Sequence, residues 1–472
     1  MSSLRPFTFA SAVALCSLLA GCSPFSASNR ATSLPAPKHA QPVREKHVVP
    51  RTPAGQSVSP VAPVVLGVRK FPFPFQAMLA VSSDADHETL RKFNLAHEFL
   101  NSTSMTPMGR GLGLDIADSF FMYNGSNIPT YTDVNNVPLK DELTWFRGTS
   151  SQPYAASVLN QYIKDGWIDT LHTYGDFSRV NQSQTVFTRA LAARAIATLR
   201  QNGDFLTVWT DHGNQSNVDN FGAYQPTGFD SYQQGANPWS KYYHTNLLIP
   251  YGVKFVWADR ASDVFGRTSM IYPIVLPSGQ KVWGFWRYTN SGYTVNGSPI
   301  WEWTVNDIPS ELSTQHLQQI ASNHQYAIIA THLSANNNYW PFSWPVIHAF
   351  QYLQKEQLGG HILVARTSRL LNYNVVQQYL HFTVLHTGNR SVVDIEGVAD
   401  PVFGWYVPTL NDLHGITFYT NNPIQTTIEV NGKPVPANLL QRNTTDGYAP
   451  SIGFKWYAPN TTNYAIQAPG IK

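Results

Sequence analysis

Apolar runs of strand length alternate with apolar residues at helical spacing over most of the chain. A run at 77–81 precedes the helically spaced Leu90, Phe93 and Leu100. Further strands are predicted near 205–210, 253–257, 326–330 and 361–365, a hairpin over 269–288, and helices near 154–164, 182–200, 311–322, 345–357 and from 366 towards 381. This alternation predicts an α/β fold with a parallel sheet or barrel, whose active groups lie at the carboxyl ends of strands.

The pattern changes in two places. Residues 101–148 are rich in Gly, Asn and Ser, and we interpret them as a long loop that is functional or contains an unrecognised element. Beyond Gly388, short apolar runs near 391–395, 416–419 and 426–430 follow one another without a helical pattern. With the hairpin signal Asn431-Gly432, they predict a small antiparallel, sandwich-like β domain.

The N-terminus has the pattern of a bacterial lipoprotein leader. Arg5 precedes an apolar run at 7–20 that is too short to span a bilayer, and Leu-Ala-Gly-Cys at 19–22 resembles the lipobox. We therefore expect a lipid anchor on Cys22 and a location in the bacterial cell envelope. The resemblance to bacterial lipoproteins, with serine directly after the cysteine, implies the outer membrane in a Gram-negative cell. The alternative is a chance cysteine in a secretory leader.

Loss of the leader would leave Cys22 as the only cysteine, so neither an internal disulfide nor a cysteine-ligated metal is expected. Residues 23–64 are rich in Ser, Ala and Pro and predict a flexible tether. The predicted organisation is a leader at 1–22, a tether at 23–64, a β/α body at 65–387 and a β domain at 388–472.

The amino-acid composition bears on which kinds of molecule the protein binds. Charged residues make up 13% of the chain and the net charge is +3, which gives no basis for nucleic-acid binding. Aromatic residues also reach 13%. Low charge with many aromatic residues suits a secreted protein that stacks on sugars, and it equally suits an ordinary aromatic-rich β core.

Titratable residues follow several of the predicted strands. Asp84 and Asp86 are two apart, so they leave the same face of an extended chain, which suits a metal site or an acid/base pair. The alternative for either is a helix cap. His172 and Asp176 are four apart, so a helical turn would place them on one face. One imidazole and two carboxylates suit a divalent cation with open positions.

Three segments together resemble a known family. They are Val-Ser-Ser-Asp-Ala-Asp at 81–86, His-Thr-Tyr-Gly-Asp at 172–176 and Ile-Ala-Thr-His at 329–332. In order and spacing they resemble the Asp-Asp, His-Ser/Thr-x-x-His and Leu-x-His motifs of the polysaccharide deacetylase (chitooligosaccharide deacetylase-like) superfamily. The resemblance covers roughly residues 70–385, with Asp in place of the second histidine at 176.

The resemblance implies an irregular parallel β/α barrel and metal-dependent removal of N- or O-acetyl groups from a glycan, with zinc as the expected metal. Asp84 would be the base and Asp86 a ligand, or the reverse, and His332 would be the general acid. The implied metal ligands are Asp86, His172 and Asp176. Separately, the position of residues 211–214 after a Trp-bearing strand predicts a sugar-contacting loop, with Trp209, Asp211, His212 and Asn214 as the sugar-contacting residues. A polysaccharide substrate and partners in a polysaccharide export or modification system would follow.

One family motif is missing. Trp-Thr-Asp-His-Gly-Asn at 209–214 stands where the family has Arg-x-Pro-Tyr, so the arginine that orients the base is absent there. This departure leaves two other functions open. One is a glycosidase that uses Asp84 and Asp211 as its carboxylate pair. The other is a non-catalytic glycan-binding lipoprotein. Each candidate also has a purely structural alternative. His172 could be a loop residue and Asp176 a helix cap, His332 a buried histidine, and residues 211–214 a turn.

Overall fold

A computed structural model describes residues 64–86, 88–124, 142–175, 177, 186–212, 217–221, 233–258, 261–262, 264–295, 298–301, 303–334 and 339–465. The helices are α1 (Leu90–Asn101), α2 (Ala156–Asp165), α3 (Arg189–Asn202), α4 (Thr245–Tyr251), α5 (Ile308–Glu311), α6 (Thr314–Ser322), α7 (Trp344–Leu358) and α8 (Thr367–Tyr379), with 3₁₀ turns at Val305–Asp307 and Ala437–Leu439. The predicted leader and tether lie outside the described residues, apart from residue 64.

The strands before α8 are β1 (Val65–Val68), β2 (Ala77–Ser83), β3 (Met105–Thr106), β4 (Gly109–Arg110), β5 (Ala117–Tyr123), β6 (Thr144–Phe146), β7 (Ile168–His172), β8 (Val208–Thr210), β9 (Phe255–Trp257), β10 (Ala261–Ser262), β11 (Ile271–Val275), β12 (Lys281–Phe285), β13 (Arg287–Tyr288), β14 (Ser291–Val295), β15 (Ser298–Trp301), β16 (Tyr326–Thr331) and β17 (Ile362–Val364). The later strands are β18 (Leu380–Thr387), β19 (Arg390–Asp400), β20 (Gly404–Tyr406), β21 (Thr417–Thr420), β22 (Thr426–Val430), β23 (Lys433–Pro434), β24 (Leu440–Asn443) and β25 (Ser451–Phe454).

One parallel-rich sheet organises the molecule. Its order is β10-β13-β16-β2-β5-β7-β8-β9-β12-β11, with β17 beside β2 and β6 beside β5. Along this order every pair is parallel except β11 with β12. The sheet curls like half a barrel. The predicted α/β class is therefore confirmed, whereas the pairings among the described strands do not close it into a full barrel.

The centre of this sheet is buried on both faces. All seven residues of β2 are buried, and alternate side chains enter different parts of the core. Leu79 and Val81 pack with α1, α6 and α7, whereas Met78 and Ala80 pack with α8 and the C-terminal strands. An apolar run without polar alternation is what a parallel strand covered on both sides requires.

A central strand lies within the predicted loop. β5 runs between β2 and β7 in the sheet, and all of its residues are buried. Its sequence contains Asp118 and Ser119, which interrupt the apolar run that otherwise marks a buried strand. The long Gly/Asn/Ser-rich stretch therefore did contain an unrecognised element, and this element is at the centre of the sheet.

The C-terminal part is antiparallel-rich, as its sequence predicts. β18, β19, β22 and β23 form one sheet with β20 at its side, while β1, β21, β25 and β24 form another. Asn431 and Gly432 have φ values of 49° and 71° at the turn between β22 and β23, so the predicted hairpin is confirmed. None of the described helices is both long and apolar enough to cross a membrane.

Asp204 gives a stability prediction that does not involve the candidate site. This residue follows α3, is buried, and neither of its carboxylate oxygens has a hydrogen-bond partner among the described residues. Burial raises the pKa of Asp204 to about 6, although Lys164 acts in the opposite direction. The folded-state pKa of Asp204 therefore lies above its unfolded-state value. Protonated Asp204 is compatible with folding at acid pH, and the free energy of unfolding falls as pH rises through 6 and the carboxyl ionises.

We therefore expect Asp204→Asn to raise the free energy of unfolding at neutral pH by about 1 to 2 kcal/mol, after allowance for partial solvation of the carboxylate. Below about pH 3 the difference from wild type should vanish, because Asp204 is then protonated in both states. Urea unfolding across this pH range checks the prediction. A pH-independent difference would show that ionisation of Asp204 is not responsible.

Candidate metal centre

Neighbouring strand ends bring the predicted chemistry together. Asp84 and Asp86 follow β2, His172 is the last residue of β7, and His332 follows β16. His212 comes two residues after β8. The sheet order is β16-β2-β5-β7-β8 with every pair parallel, so these strand ends share one edge of the sheet. This is the edge at which ligands bind in open α/β sheets.

Asp86 is the centre of the cluster. Its Oδ2 atom lies 2.9 Å from Nε2 of His172, and its Oδ1 atom lies 2.6 Å from Nε2 of His212. One ligand atom from each of these three residues lies within 4.8 Å of the other two. Two imidazoles and a carboxylate are the donor set of a zinc site that keeps a position open. The three residues are therefore a candidate metal-binding triad.

The triad contains one residue, His212, that the sequence did not predict as a ligand. Asp86 and His172 are together as expected, and His212 completes the triad, whereas Asp176 lies outside the described residues. Residues 172–175 do not form a helical turn, because His172 ends a strand and Thr173 is left-handed at φ 51°. His212 was predicted to contact sugar. The feature that indicates a ligand role is its position just after β8, the strand beside β7.

Local contacts hold the two histidines in place. The N–H of Thr173 donates to the carbonyl of Thr210 at 3.0 Å, which joins the end of β7 to β8. The Asn220 side chain accepts from the N–H of His212 at 3.0 Å and donates to its carbonyl at 2.7 Å. Phe121, on the unpredicted strand β5, stacks on His172 with the ring centroids 5.0 Å apart. The triad is thus built on a rigid, partly apolar support.

Asp84 is held by an arginine that the sequence did not reveal. The two terminal nitrogens of Arg287 donate to the two oxygens of Asp84 at 3.0 and 2.7 Å, and both side chains are buried. The guanidinium also lies 4.4 Å from the ring centroid of Trp257. Burial raises the pKa of Asp84, but Arg287, with His172 and His332, more than offsets this and leaves the pKa below its ordinary value. An arginine therefore faces this carboxylate, from β13 and not from residues 209–214.

His332 is oriented for proton donation. Its Nδ1 atom lies 2.6 Å from the carbonyl oxygen of Trp303, which can only accept, so Nδ1 carries a proton. Its Nε2 atom lies 3.3 Å from Oδ2 of Asp86. Burial lowers the pKa of His332, but the hydrogen bond and charge of Asp86, together with Asp84, raise it above its ordinary value. The ring is therefore fixed with Nε2 facing the triad.

Asp86 itself is ionised. Burial raises the pKa of Asp86, but the neighbouring His212 and His172 lower it well below the ordinary value. A carboxylate is the form that binds a metal, so the environment favours the required state of this ligand.

The other predicted sugar-contacting residues are in different surroundings. Trp209 is 0% exposed and donates from its indole nitrogen to Oδ1 of Asp211 at 2.7 Å. The same oxygen accepts from the N–H of Phe221 at 2.9 Å, and Asp211 is also 0% exposed. These side chains are interior supports of the segment that bears His212, which corrects the expectation that they present surfaces to a sugar. Asn214 lies outside the described residues.

Comparison of the chain with models of protein families, with curated proteins and with solved structures found no match.

Proposed function

We propose that this protein is a metal-dependent hydrolase that removes acetyl groups from a cell-envelope or exported polysaccharide. The observation that carries the proposal is one constellation: a two-histidine, one-carboxylate triad beside a separate, arginine-bound carboxylate and an oriented histidine. We propose, as part of the same function, that the chain is a divergent member of the polysaccharide deacetylase superfamily and has its irregular β/α barrel. The curled parallel sheet and the order of the strand-end residues support it.

Each residue has a role that its surroundings suit. Asp86, His172 and His212 would hold a divalent cation, proposed to be zinc, because the three donors converge and Asp86 is ionised. Such a cation supplies Lewis acidity, which polarises an acyl carbonyl and makes water a better nucleophile at neutral pH. Asp84, kept ionised by Arg287, accepts a proton from the attacking water. His332 donates the proton on Nε2 to the departing amine or alcohol, while Trp303 fixes its ring through Nδ1.

Exposed aromatic residues that follow β16 in the chain support a glycan substrate. Tyr339, Trp340 and Trp344 follow His332 in the chain, and all three are exposed. Arg91, in the first turn of α1, lies over the Tyr339 ring at 4.2 Å and donates to its carbonyl at 3.0 Å. This contact ties the aromatic segment to the helix that follows Asp86. Aromatic faces with polar neighbours suit the apolar faces and hydroxyls of sugars.

Location and partners are part of the proposal. A lipid anchor on Cys22 and a tether over 23–64 would hold the enzyme at the envelope, within reach of an exported polymer. Partners in a polysaccharide export or modification system are proposed on the same grounds. Both segments that carry this statement lie outside the described residues, except for residue 64.

Metal content and acetate release together test the proposed function. We expect the full-length chain in detergent to bind about one divalent ion and to release acetate from acetylated oligosaccharides. Asp86→Ala should abolish both, whereas His361→Ala, at an exposed histidine paired with Glu356, should leave both unchanged. Absence of metal after reconstitution with zinc would overturn the mechanism. Glycan cleavage without acetate release would instead identify a glycosidase.

A further inference from the structure

A tryptophan lies flat on the outer face of the C-terminal sheet. Trp405 belongs to β20, is 55% exposed, and covers Gly397 of the neighbouring strand β19. A Cβ atom at Gly397 would overlap the Trp405 ring, so only glycine allows the indole to rest on the strand. His381 meets the ring edge-on, with centroids 5.3 Å apart and an interplanar angle of 62°. One face of the indole is therefore supported and the other is open to solvent.

Acidic side chains lie on the same face, which also bears the exposed Leu385 and Arg390 farther along β18 and β19. Thr383, Asp394 and Glu429 pair across β18, β19 and β22, and this row is next to the pair of His381 with Gly397. Val393 and Ile395, which alternate with Asp394, are buried, so Asp394 belongs to the outer face. Glu396 is exposed at the bulge between these two rows. Two carboxylates thus lie in the row next to the supported ring, and that of Glu396 is exposed beside Gly397.

We propose that this outer face, with Trp405 as its platform, binds a glycan chain that carries free amino groups. The open indole face would stack on the C–H face of a pyranose ring, and an adjacent ammonium group would be attracted to the ring and the carboxylates. Acidic side chains repel anionic lipid surfaces and nucleic acids, which disfavours both as occupants.

The site does not depend on the candidate metal centre, but the two fit one reaction sequence. Hydrolysis of an N-acetyl group adds water across the amide C–N bond and releases acetate and a sugar amine. The amine takes up a proton and becomes the cation that this face suits. The C-terminal sheet would then hold the product polymer of the proposed reaction, which is the one point at which this inference rests on the proposed function.

Binding is measured on the full-length chain in detergent with three probes: a glucosamine hexasaccharide, its fully N-acetylated counterpart and an anionic polyuronate. Titrations are made at mildly acidic pH, where the sugar amines are protonated, and repeated with Asp86→Ala. We expect the glucosamine probe to bind best, and equally well in Asp86→Ala. Retention in that variant separates this site from the metal centre, so failure of one proposal leaves the other testable.

Two variants act on the platform itself. Trp405→Ala should weaken binding of the glucosamine probe by about tenfold, equivalent to ~1.4 kcal/mol. Gly397→Ala keeps the tryptophan but displaces its ring, so a similar loss is expected with an unchanged tryptophan count. Trp239→Ala is the matched control, because Trp239 is also exposed but lies on another part of the chain. Thermal unfolding confirms that each variant is folded.

Three results would overturn the inference. Equal affinity for the N-acetylated probe would show that the free amino group is not recognised. Unchanged binding in folded Trp405→Ala and Gly397→Ala would show that Trp405 is not the binding platform. Binding of this face to anionic vesicles, lost in Trp405→Ala, together with no glycan binding, would identify a membrane contact instead.

Discussion

Replacement of His212 by alanine is expected to abolish stoichiometric metal binding and to lower acetate release by more than about a hundredfold. Loss of a residue that only supports a metal ligand already reduces metal affinity or activity by about 10 to 100-fold, so loss of a ligand should exceed this range. In the structure, Nε2 of His212 lies 2.6 Å from Asp86 and within 4.8 Å of the other ligand atoms of the triad. Elemental analysis and acetate-release assays of the purified variant check both parts.

Asp176→Ala is the informative comparison, because the sequence predicted Asp176 and the structure indicates His212 as the third ligand. We expect Asp176→Ala to retain metal. The opposite pattern, with metal lost in Asp176→Ala and kept in His212→Ala, would restore the ligand set implied by the family motif. A second comparison is Asn220→Ala, which removes the two hydrogen bonds to the backbone of His212 but no ligand. It should weaken metal binding less than His212→Ala does.

Local signals in the sequence predicted most of the sheet that carries the site. β2 and β16 are apolar runs that end in small or polar residues, and their pairing places Asp84 beside Thr331, just before His332. The strand ends were therefore predictable, and so was the edge of the sheet at which the candidate site residues lie. β5 was not, because Asp118 and Ser119 interrupt its apolar run and its burial depends on neighbours from distant parts of the chain.

The identity of the partners at the site could not be predicted in the same way. His212 was assigned to sugar contact because it follows a Trp-bearing strand, and the spacing of His172 and Asp176 says nothing about a residue on the adjacent strand. Arg287 is 203 residues from Asp84 in the chain, and the apolar pattern of its region predicts only a hairpin. An ion pair between residues so far apart in the chain depends on how β13 pairs with β16 in the sheet, which is a property of the tertiary fold.

Arg287→Met is expected to destabilise the protein by about 3 to 5 kcal/mol, because it leaves the buried carboxylate of Asp84 without its cation. Both terminal nitrogens of Arg287 bond to this carboxylate, and the side chains are 0% and 6% exposed. Arg369→Met is the matched control: Arg369 also pairs with an aspartate, Asp115, but it is 25% exposed. That variant should lose only about 1 kcal/mol, as is typical of solvated ion pairs. Urea unfolding measures both.

A second substitution separates the structural role of Arg287 from its role in catalysis. In Asp84→Asn with Arg287→Met, neither charge remains, so the double variant should be more stable than Arg287→Met alone. Its acetate release should nevertheless stay at the background level, because an asparagine cannot accept the proton of the attacking water. Recovery of stability without recovery of activity would show that the unpaired carboxylate causes the destabilisation and that acetate release requires Asp84. If the double variant were no more stable than Arg287→Met, the loss would instead reflect the packing of the guanidinium on Trp257.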